Sequence, residues 1–441
     1  MKRIKQAIPL ISNLLGMQKT EEDTKYHESS FSFSVSCPEG VLLFHTLTQA
    51  IYLLEGDEKP ADFFDVLLKE RFFIPERYDE EKIARDVIDL GRRLAKKNNA
   101  ITAYTILTTT DCNARCYYCY ESGRKRLSMT DKTAHDVAEY IIHKCKGKEV
   151  SLLWFGGEPL FNQMPIEIIT DCLRKNRIPF HSRMISNGYY LDKTTIRKAK
   201  EKWNLKRVQI TLDGTKDVYL RAKAYIEQDE NAFDRVMNNI EHALISGINV
   251  VVRLNIDGGN VKDMHDLIPL LGARFGAYTG FHAYAALLKP IAGDVQEFPD
   301  EIQEYKQYVS ITDLLDQYGI GRVIPLTEGL HVNRCMADSD ASEVLLPDGR
   351  IGKCEHFTET ELVGSIYDDK YDEVMLKAWK EIMPKYPECH GCPLYPRCIY
   401  LVKCDYTETN CSKAARMRGE YNLKRQVLSE YNRYKQKETN Q

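Results

Sequence analysis

Cys112, Cys116 and Cys119 stand in one short loop, separated by three and then two residues. Three thiolates at this spacing can wrap a 4Fe–4S cube and leave one iron without a protein ligand, because no fourth cysteine lies nearby. An open iron suits a reaction centre, whereas an electron carrier has no need of one. Structural zinc is the competing chemistry. It takes four ligands, usually in paired spacing, and would need a distant partner here. A chance grouping is the remaining alternative for so short a motif.

A second group follows: Cys335 and Cys354, then Cys389, Cys392, Cys398, Cys404 and Cys411. Seven cysteines cannot fill two four-ligand sites. Two zinc ribbons are one reading, with His390 as an eighth ligand. The chain holds 13 cysteines, and an odd, clustered set fits metal binding better than a disulfide framework. A cytoplasmic location follows as the default. Cys37, Cys145 and Cys172 stand alone, and the last two lie in helix-like segments as expected for inert core thiols.

The elements that must position these residues can be read from periodicity. Strand-like runs appear at 103–109, 150–155, 182–186, 207–212, 250–256 and 279–284, with helical stretches near 130–145, 164–175, 192–203, 231–246 and 261–274. Six strands alternating with helices predict an α/β fold with a parallel sheet, curled by its crossovers into a partial (β/α)6 TIM-like barrel. The first cysteine loop follows the first of these strands. Four further motifs fall at strand ends: Gly156-Gly157-Glu158-Pro159, Ser186-Asn187-Gly188, Leu212-Asp213-Gly214, and Arg253 with Asn255 on the fifth strand. Each alone reads as a turn, but function gathers at the C-terminal ends of barrel strands, and five such features on one rim form a set.

Ahead of the barrel, runs at 31–36 and 41–45 flank a Cys-Pro-Glu-Gly turn, and helical patterns follow at 62–70 and 80–97. The first residues, basic and then briefly apolar, are interrupted by Pro9, Ser12 and Asn13 and show no cleavage site. They read as a short surface helix or a disordered tail rather than a signal peptide. Beyond 325 the alternation stops. Residues 412–436 are charged and helical in pattern, with only Leu423, Val427 and Leu428 hinting at a buried stripe. The expected division is therefore 1–100, 101–325, 326–412 and 413–441.

At 441 residues and 43% hydrophobic content the chain can bury more than one core. A net charge of −3 gives no basic field for nucleic acid, and Arg92-Arg93 and Lys96-Lys97 read as solvated helix faces. No run approaches the ~20 apolar residues of a membrane span. No nucleic-acid or membrane partner is expected.

Taken together, the CxxxCxYC loop, the GGEP, the SNG and the TLDG resemble the radical S-adenosylmethionine (SAM) superfamily over residues 101–285. The resemblance implies that Cys112, Cys116 and Cys119 hold a 4Fe–4S cluster whose open iron binds the amino and carboxylate groups of SAM. It places Gly156, Gly157 and Glu158 at the methionyl amino group and Tyr118 beside the adenine. Ser186 would lie at the ribose or carboxylate, with Arg221 and Arg253 as further carboxylate candidates. The implied chemistry is cleavage of SAM to a 5′-deoxyadenosyl radical that takes hydrogen from a substrate.

The cysteines at 330–412 resemble the SPASM extension of radical SAM enzymes that modify peptides. One departure is the five residues between Cys398 and Cys404, where the family commonly has three. By resemblance, Cys335, Cys354 and Cys404 hold a first auxiliary 4Fe–4S cluster, and Cys389, Cys392, Cys398 and Cys411 hold a second. Three ligands on the first would leave an iron open to a substrate thiolate. Residues 30–100 resemble in arrangement the winged-helix-like peptide-recognition domain of ribosomal-peptide (RiPP) maturases. A packing or dimerisation role is the alternative there.

The implied activity is that of an oxidoreductase-type maturase. It would form a Cys thioether in a precursor peptide carrying a leader, with flavodoxin or ferredoxin as electron donor. Carbon–carbon cross-linking and formylglycine generation in sulfatases are the rivals within the class. A zinc-stapled binding protein is the rival outside it.

Overall fold

The structure is a computed structural model that describes residues 1–8, 25–95, 100–289, 295–326, 332–356, 359–383, 387–404 and 411–439. Its contacts divide the chain into two compact units, each assembled from separate stretches. One comprises Met1–Lys97, Val323–Arg334 and Ile382–Gln441, and the other Asn98–Arg322 and Cys335–Glu381.

The first unit contains β1 (Lys2–Lys5), β2 (Tyr26–Glu28), β3 (Ser32–Cys37), β4 (Gly40–His45), β5 (Ile51–Glu55) and β6 (Phe73–Pro75). An antiparallel sheet runs in the order β1-β5-β4-β3, and β2 pairs with β6. The expected hairpin is β3–β4, and helices follow at Phe64–Lys69 and Glu80–Ala95. The basic start of the chain is a strand, not the expected helix or tail. As a strand it satisfies the free edge of β5 and lays Ile4 on the apolar cluster of Phe33, Leu42 and Leu53. The remainder of the apolar run that contains Pro9, Ser12 and Asn13 lies outside the described residues.

The C-terminal helix Lys413–Thr439 buries a stripe of Leu423, Val427 and Tyr431 against the same sheet. These residues are four apart, one per turn on one helix face. Tyr395 stacks on Phe31 at 5.9 Å and Cys389 packs beside it. Residues from 382 onward therefore complete the N-terminal sheet's core, and the expected 326–412 segment does not form one compact unit.

The second unit holds β7 (Ala103–Thr109), β8 (Val150–Gly156), β9 (Phe180–Ser186), β10 (Leu205–Leu212), β11 (Asn249–Ile256) and β12 (Phe281–Leu287). They pair in sequence order and in parallel, as a partial (β/α)6 barrel requires. Helices at Asp131–Lys144, Met164–Lys175, Lys193–Glu201, Ala232–Ile245 and Met264–Phe275 connect them. Thr130 and Asp192 cap the first and third of these by accepting from backbone N–H groups one turn on.

Beyond the expected end of the alternation, β13 (Ser342–Leu345) joins β7 in parallel, and β14 (Arg350–Gly352) and β15 (Gly364–Ser365) add antiparallel to it. The addition is locked by Glu343, whose carboxylate accepts from Tyr140 at 2.9 Å and Tyr371 at 2.8 Å. Burial pushes the Glu343 carboxyl up, against these two bonds.

The faces of the barrel strands alternate. On β10, Val208, Ile210 and Leu212 are wholly buried, whereas Arg207, Gln209 and Thr211 are half-buried on the other side. Ile210→Ala would open a cavity beside Gly188 and Val236, whose side the Ile210 methyls face. The expected loss is about 2–5 kcal/mol, read by chemical denaturation, with the α/β circular dichroism retained in the absence of denaturant.

Candidate functional site

The loop that carries the first cysteine group leaves β7 at its C-terminal end and is tied down before it reaches Cys112. Thr109 Oγ1 donates to Leu127 O at 2.9 Å, and Thr110 N and Oγ1 bond Leu127 O and Lys125 O, both at 2.8 Å. Asp111 accepts the Cys112 N–H at 2.8 Å. On its far side the loop is fastened to the end of the helix Lys216–Lys223. Arg115 N–H donates to Lys223 O at 2.9 Å, and Ile226 N–H donates to Asn113 O at 2.9 Å. Ala224, in the left-handed conformation at φ 43°, makes that helix end turn.

Gly156 and Gly157 allow the β8 end to approach this loop. A Cβ on Gly156, which sits at φ 119°, would lie 2.1 Å from Thr109 O, and one on Gly157 would lie 2.2 Å from Asp111 O. Their neighbourhood is a backbone lock: Gly157 N–H donates to Thr109 O and Glu158 N–H to Asp111 O, each at 3.0 Å. These amides are thus spent on the cysteine loop.

Glu158 is fully buried and serves as a bracket. Its Oε1 accepts from Ser186 Oγ at 2.8 Å and Leu160 N at 3.1 Å, and Oε2 accepts from Asn187 N at 2.7 Å. Burial pushes its carboxyl up to about 7, against those hydrogen bonds. Ser186 and Glu158, expected at the cofactor, are thus bonded to each other. Asn187 is the member of that turn aimed at the cysteines: its Nδ2 donates to Asn113 Oδ1 at 2.7 Å and lies 3.8 Å from Cys112 Sγ.

Beneath the loop lies an ion pair absent from the sequence reading. Lys223 Nζ is 3.0 Å from Asp213 Oδ2, with the two side chains 3% and 0% exposed. Tyr118 closes the triangle: its hydroxyl donates to Asp213 Oδ1 and accepts from Lys223 Nζ, each at 2.8 Å. Burial works to lower the Lys223 pKa, but the Asp213 charge and hydrogen bond, with Cys116 and Tyr219, together outweigh it and hold the ammonium protonated. Neighbouring Tyr117 donates to Asp257 at 2.8 Å.

Burial pushes all three thiols up, Cys112 to about 12, and the Lys223 charge acts against the rise at each. Three sheltered soft donors that resist ionisation alone fit a cationic iron centre, whose charge makes thiolate the favoured form. Among the described residues, no three Cys, His, Asp or Glu groups stand close enough to hold a single metal ion.

Arg253 lies on β11 with its Nε buried and unpartnered among the described residues, so it is still available to a ligand. Arg221 is exposed on the helix Lys216–Lys223. Tyr219 and Lys223, four residues apart, share that helix's buried face, which the position of Arg221 does not. The helical period of this segment was the signal for Lys223.

The second cysteine group is divided between the units. Cys335 and Cys354 belong with the barrel, where their sulfurs accept from Ala337 N and His356 N, each at 3.4 Å. The His356 ring lies tilted against Tyr120, with centroids 3.9 Å apart. Cys389, Cys392, Cys398, Cys404 and Cys411 belong to the other unit. There Cys392 N–H donates to Cys389 O at 3.1 Å. Tyr400, raised by burial and then by Cys398, also feels Cys411. Arg416, raised chiefly by its bond to Glu420, feels both Cys392 and Cys411. Cys398 and Cys411 thus neighbour Tyr400, and Cys392 and Cys411 neighbour Arg416. His390 instead faces Glu81, 2.9 Å away.

Residues 106–271 match the model of the radical SAM superfamily. Over those residues the chain carries a radical SAM domain, the domain of enzymes that use SAM and a 4Fe–4S cluster. A probable GTP 3′,8-cyclase of Thermococcus kodakarensis is 26% identical over 242 residues, 51% of this chain and 75% of that protein. Among solved structures, native anSMEcpe with bound AdoMet and Kp18Cys peptide superposes at TM-score 0.57 with 15% identity, over 75% of this chain and 99% of that one. Streptococcus suis SuiB bound to precursor peptide SuiA gives 0.53 with 12% identity, over 85% and 94%. At these identities the two structures share the fold.

Lys223→Met would strand the buried Asp213 carboxylate. The expected cost is about 3–5 kcal/mol, read as a lowered melting temperature, and Lys223→Met/Asp213→Leu recovers most of it. A Lys223→Met variant as stable as wild type would show that the pair does not support the loop.

Proposed function

We propose that this chain is a radical SAM maturase of ribosomal precursor peptides, with Cys112, Cys116 and Cys119 as ligands of the SAM-binding cluster. The observation that carries the reading is the placement of these three sheltered cysteines, on one loop at the C-terminal edge of a parallel barrel, over a buried cation. When bound, the cluster and SAM supply one-electron cleavage of the sulfonium and a carbon radical able to take a hydrogen atom from substrate. The chain's own residues position and shelter. Glu158 fixes the Ser186–Asn187 turn, Asn187 and Asn113 flank Cys112, Tyr118 and Lys223 floor the loop, and Arg253 offers a guanidinium to a carboxylate.

Two auxiliary clusters complete the proposal. Cys389, Cys392, Cys398 and Cys411 suit one; Cys398 and Cys411 neighbour Tyr400, and Cys392 and Cys411 neighbour Arg416. Cys335 and Cys354, both in the barrel unit, are the proposed ligands of the other, and an iron there open to a substrate thiolate would make a sulfur-to-carbon thioether the leading product. The bound peptides in the two solved neighbours support a peptide substrate. Flavodoxin or ferredoxin is the proposed electron donor, and the cytoplasm the proposed location. No helix among the described residues is long and apolar enough to cross a membrane.

A nucleotide cyclisation is the second reading, favoured by the cyclase relative that matches over three-quarters of its own length. Incubation of the reduced enzyme with SAM and GTP tests it. A cyclised nucleotide would displace the peptide reading.

Anaerobic reconstitution tests the cluster assignment. Wild type should bind about twelve irons and sulfides per chain, falling to about eight in the Cys112/Cys116/Cys119→Ala variant. Wild type should also release 5′-deoxyadenosine from SAM under dithionite, and the variant should not. Zinc in place of iron would overturn the catalytic reading.

A further inference from the structure

The concave face of the barrel carries a group of cations that nothing above employs. Successive strand residues point to opposite faces, and residues paired across a parallel sheet share a face. Arg207 on β10 pairs with Arg183 on β9, and Gln209 pairs with Ile185 and with Val251. Val251 pairs in turn with His282, and Arg253 with Tyr284. The opposite face of β10 is the wholly buried one, so Arg183, Arg207 and His282 belong to the lumen side. Arg322 joins them from the segment beyond β12, where Gly321 bridges to Ala283 and Arg322 N–H donates to Ala283 O at 2.9 Å. Its guanidinium lies over the Tyr284 ring at 5.7 Å.

The three arginines act on one another and on His282. Burial, then Arg207 and Arg322, hold the Arg183 guanidinium below its usual value. Burial and Arg207 do the same to Arg322, and burial, Arg322 and Arg207 lower His282. No carboxylate offsets them: among the described residues none of the three arginines is in an ion pair. Elsewhere Arg174, Arg235, Arg274 and Arg350 each sit on an acid. Like charges gathered without a counter-ion cost folding free energy, and guanidinium forks are the groups that bind carboxylate and phosphate in pairs of bonds.

We propose that the basal half of the barrel lumen is an anion site for the substrate, taking the carboxylate side chains of an acidic peptide segment next to the residue that is modified. The identity of the ligand as a peptide rests on the proposed function. The spread of the site favours several carboxylates. The contributing backbones lie up to four strand spacings apart, about 4.8 Å each, a span suited to an extended chain with more than one acid rather than to one phosphate group.

The full-length, reconstituted protein is titrated calorimetrically with tetraglutamate and, separately, with inorganic tripolyphosphate, at low and moderate salt. Tetraglutamate should bind, more weakly as salt rises, and Arg207→Gln/Arg322→Gln should weaken it by about tenfold. The same variant without ligand should melt at or above the wild-type temperature, because like-charge repulsion is relieved. A lower melting temperature would assign these arginines a structural role and overturn the proposal. So would wild type that ignores tetraglutamate, unchanged affinity in the variant, or binding of tripolyphosphate alone, which would mark a phosphate site. Wild type that binds tetraglutamate yet releases no 5′-deoxyadenosine would sink the proposed function and leave the anion site standing.

Discussion

The buried pair of Lys223 and Asp213 is the constraint on which the rest of the site hangs. Two charges removed from water are tolerated only when each satisfies the other, and here the Tyr118 hydroxyl joins them to the cysteine loop. The pair therefore fixes three things at once: the end of the helix Lys216–Lys223, the β10 end that carries Asp213, and the loop between Cys116 and Cys119. The carbonyl of Lys223 holds the same loop through Arg115 N–H. A single residue thus supplies charge to three thiols and a backbone anchor to the segment that carries them.

A second bracket, centred on Glu158, does for β8 and β9 what Lys223 does for β10. Its carboxylate gathers the Ser186–Asn187 turn, and the glycines before it let β8 press against the loop's first residues. The rim is therefore a chain of mutual supports running through β7, β8, β9 and β10. Such rigidity is what a reaction centre needs from a scaffold, since positioning rather than acid–base chemistry is the protein's share where a cofactor supplies the reactivity.

Much of this was legible in the residues. The six barrel strands alternate in a way that periodicity reads directly, and the cysteine spacing and rim motifs mark the loop. Glu158 and Ser186 were visible as rim residues, but their bond to each other was not, because pairing across strands depends on register. Lys223 was hidden by composition: one lysine among 61 lysines and arginines has no mark except its helical phase with Tyr219. β13 was masked by its shortness amid cysteines. The stripe on the last helix was obscured because Tyr431 reads as polar in a charged segment, and Lys2–Lys5 gains its strand only from a distant edge.

The discontinuous make-up of the first unit has a consequence for how the chain is born. Its hairpin sheet emerges from the ribosome before the barrel, but the helix that covers that sheet, through Leu423, Val427 and Tyr431, follows only after the barrel. The barrel strands from Ala103 to Leu287 appear in between, in an order that lets each pair with its predecessor as it arrives. Local pairing is fast and distant closure slow. The barrel, with its cysteine loop, accordingly matures while the unit that brackets it in sequence still waits, with its apolar sheet face uncovered, for its lid. Until that helix is made, the face is the part of the nascent chain most prone to aggregation.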